Sequence, residues 1–402
     1  MNVLFLTLID LKDISQKGIY QDLIREFIAR GHSVYAVSPT ERRNKEKTHV
    51  NHDGNFHSLK VKTLNVQKTN VVEKVLSTLM IEGQFKSAIK KQFKGVKFDL
   101  IVYSTPPITF GKVVRYFKKR DGAKTYLLLK DIFPQNAVDL GMMSKSGIKG
   151  LVYRYFRNKE KTLYLTSDFI GCMSQANVEY VLKENPWLDA QKVEVCPNSL
   201  EFVPKEFNQS KAEIREKYGI PLDKTVFVYG GNLGKPQCVD FIIECLKKCK
   251  ENEKAFFVIA GSGTEYYKLK NFVESDSPKN VSLINYLPAK EYEALTSACD
   301  VGLIFLDKRF TIPNFPSRLL SYMTASMPVF ACTDKNTDIG KVITENGFGW
   351  WIESSSAEQF YETIKKICEE RNLDVLGECA FECFLKNYQV KDAVDTILRR
   401  VQ

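Results

Sequence analysis

The sequence lacks the features that would place it in a membrane or outside the cell. No apolar run in its 402 residues reaches the roughly 18 residues that a membrane-spanning helix needs. The opening MNVLFLTLID has no basic segment before its apolar residues, which predicts a first strand and not a signal peptide. The ten cysteines include no CxxC pair, and none lies before Cys172. These absences predict a reduced, cytoplasmic protein.

Histidine is scarce, and all four histidines fall between positions 32 and 57. Three of them, His49, His52 and His57, lie in the polar stretch 41–58. Because no Cys or carboxylate stands at metal-ligand spacing from them, we predict a solvated loop there and no metal site.

Acidic residues are few in the first half of the chain. Residues 1–200 carry 32 Lys and Arg against 19 Asp and Glu, whereas the remainder carries 26 against 29. The asymmetry predicts that the first half meets something anionic, and nucleic acid and an anionic membrane surface both fit. No recognised nucleic-acid-binding module is present, which favours the membrane surface.

What the chain does contain is a regular alternation of apolar strand patterns and helical patterns in both halves. This alternation predicts an α/β protein with two doubly wound parallel sheets facing each other across a cleft. A boundary is indicated near residues 198–204, after which Ser210 and Glu213 form the capping-box pattern of a helix start.

The stretch VFVYGGNLGKPQCVD, residues 226–240, reads as a strand, a glycine turn and a helix. Backbone N–H groups on such a turn, backed by a helix N-terminus, favour a phosphate. An ordinary strand-to-helix connection, where glycines only permit a sharp turn, is the alternative, because the dinucleotide fingerprint and the Walker Lys-Ser/Thr are both missing.

A second informative stretch is IKGLVYRYFRNKEKTLYL, residues 148–165. Its helical pattern places Ile148, Leu151, Val152, Tyr155 and Phe156 on one face. The basic residues Lys149, Arg154, Arg157 and Lys161 lie mostly elsewhere around the helix. Such a helix either lies in a membrane interface or covers the sheet with a solvated basic face.

IPNFPSRLLSYMTASMPVFAC (312–332), read beside GGNLGKPQCVD, resembles glycosyltransferase family 4. QKGIYQDLIREFIARGHSVYAVSPT is similar to the family's first glycine loop, helix and second strand, and CPNS to the turn that closes the first domain. KDIFP resembles a segment of the bacterial branch that builds O-antigen, capsule and exopolysaccharide. The likeness spans nearly the whole chain.

The resemblance implies a retaining enzyme of the GT-B fold. Residues 1–203 would form an N-terminal Rossmann-like acceptor-binding domain, and 204–384 a Rossmann-like nucleotide-sugar-binding domain. Residues 385–402 would form a helix that crosses back to the first domain. The donor would be a UDP- or GDP-sugar. The acceptor would be a lipid-linked, polyprenyl diphosphate glycan at the inner face of the cell membrane. No Asp-x-Asp occurs, so we expect neither a metal nor a cofactor.

The positions expected to carry the chemistry follow from this resemblance and from the charge of a diphosphate. Arg318 offers a forked donor, and the predicted helix start at 316–320 offers N–H groups. The donor-binding positions are Gly18, Gly231, Asn232, Lys235, Gln237, Gly261, Tyr286, Leu287, Asn314, Pro316, Ser317, Arg318, Leu319 and Ser321. The catalytic positions are Asp131, Lys235 and Arg318. The acceptor or membrane positions are Lys130, Lys149, Arg154, Arg157 and Lys161.

The chain also departs from the family pattern. Two glutamates common in the family align with Pro313 and Ser321, and the usual Arg and Lys of the central turn align with Asn232 and Gln237. These departures leave open a catalytically impaired GT-B protein that binds a nucleotide. A related enzymatic alternative is a GT-B sugar-nucleotide epimerase, which would need carboxylates and histidine in the cleft.

Overall fold

The computed structural model describes residues 1–11, 13–65, 71–204 and 209–401, with the side chains of 71–76, 78, 79 and 149 left out. The chain separates into two compact units. Unit 1 contains Met1–Glu201 together with Gln389–Gln402, and unit 2 contains Phe202–Tyr388.

Unit 1 is built on an eight-stranded sheet in the order β3-β4-β2-β1-β5-β6-β7-β8, parallel except for the antiparallel β3–β4 pair. The apolar runs of β1, β5 and β6 are buried, as expected for strands covered on both faces. The strands are β1 (Asn2–Leu6), β2 (Ser33–Glu41), β3 (His49–Asp53), β4 (Phe56–Thr63), β5 (Leu100–Ser104), β6 (Lys124–Leu129), β7 (Phe169–Cys172) and β8 (Val193–Val195). The helices of this stretch are α1 (Ile19–Ala29), α2 (Val71–Gln92), α3 (Gly111–Asp121), α4 (Gln135–Asp139), α5 (Gly147–Thr166) and α6 (Gln175–Glu184).

Unit 2 is built on a six-stranded, fully parallel sheet in the order β11-β10-β9-β12-β13-β14. The predicted capping box at Ser210 and Glu213 is confirmed at the start of its first helix. The strands are β9 (Thr225–Asn232), β10 (Ala255–Ser262), β11 (Val281–Ile284), β12 (Val301–Phe305), β13 (Val329–Thr333) and β14 (Gly349–Glu353). The helices are α7 (Lys211–Lys217), α8 (Val239–Lys248), α9 (Tyr266–Asp276), α10 (Ala289–Ser297), α11 (Arg318–Met323), α12 (Ile339–Glu345), α13 (Ala357–Glu369) and α14 (Leu373–Asn387).

The last helix, α15 (Val390–Arg399), belongs to unit 1. Its apolar face, which includes Val394 and Ile397, packs into the same core as Leu23 and Phe27 of α1. Arg30, the residue after α1, also donates to the main-chain oxygen of Lys391 at 3.0 Å.

Strand order reverses once in each sheet, between β1 and β5 in unit 1 and between β9 and β12 in unit 2. Ligands of open α/β sheets bind beyond the carboxyl ends of strands at such a reversal. The loops after β1, β5 and β9 therefore mark where each unit is built to hold a ligand.

The predicted solvated loop over 41–58 is wrong in its second half, because β3 and β4 form a hairpin there. β4 is mostly buried despite its two lysines. The buried Lys60 ammonium pairs with Asp10 and donates to the Ser38 hydroxyl at 3.0 Å. A partner 50 residues away in sequence thus allows a charged side chain inside the strand.

The hairpin brings the Nδ1 atoms of His52 and His57 to 2.7 Å, so one ring donates and the other accepts. Burial, with the neighbouring His52, lowers the pKa of His57 below its usual 6.5. Neutral His57 therefore contributes its full share of the free energy of unfolding above pH 6.5. That share is lost as the pH falls through the lowered pKa of His57 in the folded state.

We expect the Tm to fall less between pH 7.5 and 5 in His57→Gln than in the wild type. A His49→Gln variant with an equally reduced slope would contradict this.

Candidate functional site

The predicted glycine turn lies at the carboxyl end of β9, beside the strand reversal of unit 2. Gly231 has φ +125°, a conformation that side-chain-bearing residues rarely adopt. The side chains of Asn232 and Gln237, predicted to face the donor, hydrogen-bond each other at 3.0 Å. The same Gln237 oxygen accepts from the Gly234 amide at 3.1 Å. These bonds hold the turn in shape and leave the exposed Lys235 as its cation.

Gly261, at the end of β10, allows β9 and β10 to approach each other closely at this turn. A Cβ at Gly261 would lie 2.0 Å from the carbonyl oxygen of Gly231. The glycine therefore serves the geometry of the turn, because a side chain would push the Gly231 peptide away.

A Gly261→Ala substitution should displace this turn. We expect a loss of about 1–3 kcal/mol in the free energy of unfolding from the backbone clash. Thermal denaturation measures this, and Gly83→Ala in α2 is the control. No described atom lies within 4 Å of a Cβ at Gly83, and alanine favours a helix interior. An unchanged Tm in Gly261→Ala would show that the turn relaxes freely.

Arg318 reaches the glycine turn from α11. Its guanidinium carbon lies 4.2 Å from the centroid of the Tyr229 ring, and its Nη2 lies 3.1 Å from where a Cβ on Gly231 would stand. Its Nη1 is buried and has no hydrogen-bond partner among the described residues. A buried guanidinium N–H without an acceptor is costly unless a ligand supplies one.

The segment before α11 holds a second such donor. Asn314 Nδ2 is buried and also has no partner within the described part of the chain. The Asn314 carbonyl is fixed by the Thr337 hydroxyl at 2.6 Å. Asn314 and Arg318 therefore present two buried N–H donors without a partner among the described residues, which suits an oxygen-rich anion.

The helix predicted to start at 316–320 is short, because α11 begins at Arg318 and ends at Met323. The amides of Leu319 and Leu320 already bond to the carbonyls of Pro316 and Ser317. The Leu319 side chain is fully buried, whereas Ser317 and Ser321 are exposed. Two amides at the start of α11 are therefore already hydrogen-bonded. Arg318 is the main polar group that this short helix directs toward the glycine turn.

Tyr286 and Leu287 follow β11 at the same edge of the sheet. The Tyr286 side chain is 75% exposed. β11 stands two strands away from β9, about 10 Å across the sheet. The structure thus places these two residues apart from the group formed by Gly231 and Arg318.

In unit 1, Gly18 lies between β1 and α1, at the strand reversal of that sheet. Its amide donates to the buried Asp22 carboxylate at 3.0 Å. Asp22 also accepts from Arg25 and from the Glu201 amide. The start of α1 thus already holds an anionic side chain that the sequence reading missed.

Asp131 and Lys130, predicted as catalytic and acceptor-side positions, lie just past β6, and both are half-buried. The Thr105 hydroxyl accepts from both of their amides, at 3.0 and 3.1 Å. Asn136 donates to the Asp131 carboxylate at 2.8 Å. Burial raises the pKa of Asp131 to about 6 and lowers that of Lys130 to about 8. A carboxylate with a pKa this close to neutrality is suited to proton transfer.

The basic residues predicted on α5 differ in their surroundings. Arg157 turns inward, where it pairs with Glu160 at 2.7 Å and donates to Asn185 at 2.6 Å. Arg154 and Lys161 are exposed, and the Lys161 ammonium lies 5.1 Å from the Trp187 ring. The Lys149 side chain falls outside the described residues.

Sequence reading also missed the tyrosines that surround Arg318. Tyr229 stacks under the guanidinium, and Tyr292 packs its hydroxyl against Gly230. Tyr322 donates to the main-chain oxygens of Val228 and Leu303 at 3.0 and 3.1 Å. All three stand in apolar patterns typical of core residues, so the sequence carries no signal for them.

The described residues contain no group of three or more His, Cys, Asp or Glu side chains placed to hold a metal ion. Within the same part of the chain, no helix combines the length and the hydropathy needed to cross a bilayer.

Comparison with known proteins adds three findings. The model of the family "Glycosyl transferases group 1" matches residues 210–376. The chain is 27% identical over 311 residues to the glycosyltransferase WbjE of Pseudomonas aeruginosa, covering 76% of this chain and 74% of that protein. It is 22% identical over 276 residues to the colanic acid biosynthesis glycosyl transferase WcaI of Escherichia coli strain K12, covering 67% and 66%.

Among solved structures, HepE of Anabaena in complex with UDP-glucose has a similar fold. The TM-score is 0.70 at 13% identity, covering 99% of this chain and 98% of HepE. This likeness confirms the prediction of two doubly wound α/β domains of the GT-B class.

Proposed function

Because the chain is a glycosyltransferase, we propose that it transfers a sugar, with retention, from a UDP- or GDP-sugar to a lipid-linked glycan. Unit 2 binds the donor and unit 1 the acceptor, without a metal, at the inner face of the cell membrane. The name of WcaI and the UDP-glucose bound to HepE support a nucleotide-sugar donor and a role in surface polysaccharide synthesis.

The observation that carries the proposal is the buried Arg318 Nη1, which has no hydrogen-bond partner among the described residues and lies beside the glycine turn. As the glycosidic bond breaks, negative charge grows on the diphosphate leaving group, and fixed donors that meet this charge lower the barrier. A guanidinium held on the Tyr229 ring is such a donor, and phosphate oxygens would supply the acceptors that it lacks. Lys235 adds a second cation at the same turn.

In the proposed reaction, the bond between the anomeric carbon and the diphosphate oxygen breaks, and the electron pair leaves with the diphosphate. The acceptor hydroxyl oxygen bonds to the anomeric carbon on the same face. Its proton passes to the departing phosphate. Asp131 accepts a hydrogen bond from the acceptor hydroxyl and orients it for this step.

A thermal-shift screen of UDP, GDP and their sugars tests the proposal. A ligand at 100 times its Kd stabilises the folded state by about 2.7 kcal/mol, so the correct nucleotide should raise the Tm by several degrees. A chain that no nucleotide or sugar nucleotide stabilises is not the enzyme proposed here.

The mutual hydrogen bond of Asn232 and Gln237 favours one alternative, a protein that binds the nucleotide without turnover. Neither side chain brings a positive charge to the leaving group. Transfer or hydrolysis of the sugar nucleotide that stabilises the chain separates the two functions. Stabilisation with no product, in the presence of a lipid-linked acceptor, would establish the binding protein.

A further inference from the structure

The outer face of α5 exposes large apolar side chains. Ile148 is 86% exposed, Leu151 62%, Val152 46% and Tyr155 41%. Their spacing puts all four on one side of the first two helical turns. We call these four residues the apolar face. Exposed clusters of this kind mark surfaces that bind a partner.

The inner side of the same helix explains why these residues remain outside. Leu163 and Tyr164 are buried in unit 1. Phe156 contacts Phe133, with ring centroids 5.1 Å apart, and Glu160 is buried where it accepts from Arg157 and Tyr164. The helix is thus anchored by its second half and by its inner residues. The apolar face is not needed for that packing.

The charges around the apolar face indicate the chemistry of the partner. Lys145 and Arg154 are exposed beside it. Tyr155 borders a cavity of about 270 Å³ that Lys112 and Arg115 of α3 and Lys159 of α5 also line. Glu82 is the carboxylate at this cavity; it is buried, accepts from the Lys112 amide, and lies 3.6 Å from the Lys159 ammonium. The accessible groups are therefore predominantly cationic.

The cationic surface continues onto α2. Lys86, Lys90 and Lys91 line a further recess, and the ammonium groups of Lys86 and Lys90 lie 4.1 and 5.3 Å from the Tyr116 ring. Aliphatic side chains that enter hydrocarbon, flanked by cations that meet headgroups, suit an anionic bilayer. A nucleic acid offers no hydrocarbon region into which the exposed isoleucine and leucine side chains could insert.

We infer that the apolar face of α5, with Lys145 and the cations of α5 and α3 that surround it, docks unit 1 onto an anionic lipid bilayer. This inference rests on the proposed function, because a lipid-linked acceptor lies at a membrane. The membrane contact is thereby assigned to particular side chains. Arg157 is not one of them, because its guanidinium is already paired with Glu160 and Asn185 inside unit 1.

Sedimentation of the full chain with vesicles tests the inference. We expect binding to vesicles of phosphatidylcholine with 30% phosphatidylglycerol to be at least tenfold stronger than to phosphatidylcholine alone. Binding should weaken with NaCl, and inorganic phosphate at equal ionic strength should release no more protein than NaCl does. Equal binding to both vesicles, or to neither, would overturn the assignment.

Two variants separate the apolar and charged contributions. Ile148→Gln with Leu151→Gln should weaken binding at least tenfold, because the lost apolar surface is worth that much when buried. Lys145→Gln, Arg115→Gln and Arg154→Gln together should remove most of the preference for phosphatidylglycerol. The matched controls in unit 2 are Leu222→Gln with Val375→Gln, and Lys250→Gln with Lys279→Gln and Lys290→Gln, all at exposed positions. Controls should bind within twofold of the wild type.

Sedimentation velocity tests whether the apolar face instead joins two copies of the chain. If the wild type is a dimer and only Ile148→Gln with Leu151→Gln dissociates it, the inference is wrong. The nucleotide-induced Tm shift is recorded for every variant. Its persistence without vesicle binding refutes the docking surface alone, whereas its absence from the wild type refutes the proposed function.

Discussion

Arg318→Gln is expected to lower kcat/KM for the sugar nucleotide by about 10²–10³-fold, the loss typical of removing one fixed donor from a developing anion. The guanidinium has a buried N–H without an acceptor and is held on the Tyr229 ring, so its position is set before the ligand arrives. Arg318→Lys should recover only part of this loss, because an ammonium keeps the charge but not the fork.

Arg309→Gln is the matched control for this prediction. Arg309 follows β12 in the same unit, but its guanidinium is already bound by the Asp307 carboxylate, with N–O distances of 3.0 and 2.6 Å. We expect its kcat/KM to stay within about threefold of the wild type. A Tm scan of Arg318→Gln separates lost catalysis from unfolding, since the Tyr229 contact is worth only about 1 kcal/mol. A folded Arg318→Gln enzyme with normal kcat/KM would remove Arg318 from the mechanism.

The glycine turn shows how much of the site the sequence could predict. A continuous apolar strand that ends in two glycines fixes both the strand and the turn, because few other structures accommodate that pattern. The roles of Asn232 and Gln237 could not be predicted in the same way. Both are polar residues on a predicted ligand loop, and only the folded structure shows that their side chains hydrogen-bond each other.

The β3–β4 hairpin was missed for a different reason. The stretch 41–58 is polar, which is typical of a solvated loop. The neighbouring Lys60 is buried in β4 because it pairs with the Asp10 carboxylate, which follows β1. For α5, the periodicity of the sequence predicts that Ile148, Leu151 and Tyr155 share one side of the helix. It does not predict whether another element of the fold covers that side. Which distant residues pair, and which helix face is covered by another element, depend on the whole fold. Local sequence patterns therefore cannot predict them.

Asp131→Asn is expected to reduce turnover by about 10²–10⁴-fold and to leave the nucleotide-induced Tm shift unchanged. The proposed role requires the ionised form. A carboxylate accepts the hydrogen bond of the acceptor hydroxyl more strongly than a neutral carboxyl or amide oxygen does, and its charge favours loss of the hydroxyl proton. With a pKa of about 6, wild-type turnover should fall as the pH drops below that value. The Asn136 amide, which donates to the carboxylate at 2.8 Å, keeps the side chain in place.

Stability should change in the opposite direction in this variant. In the folded state the pKa of Asp131 lies above the usual 3.8. The contribution of Asp131 to the free energy of unfolding is therefore fully present below pH 3.8, and it is lost as the pH rises through about 6. Asparagine avoids this loss, and Asp131→Asn should gain up to about 3 kcal/mol at pH 7.5, with little gain at pH 4. Asp139→Asn, which removes a carboxylate that accepts from Gln135 on α4, is the control. Full turnover in a folded Asp131→Asn enzyme would exclude the proposed role, whereas lost turnover combined with a higher Tm is the signature of a carboxylate kept for function at a cost in stability.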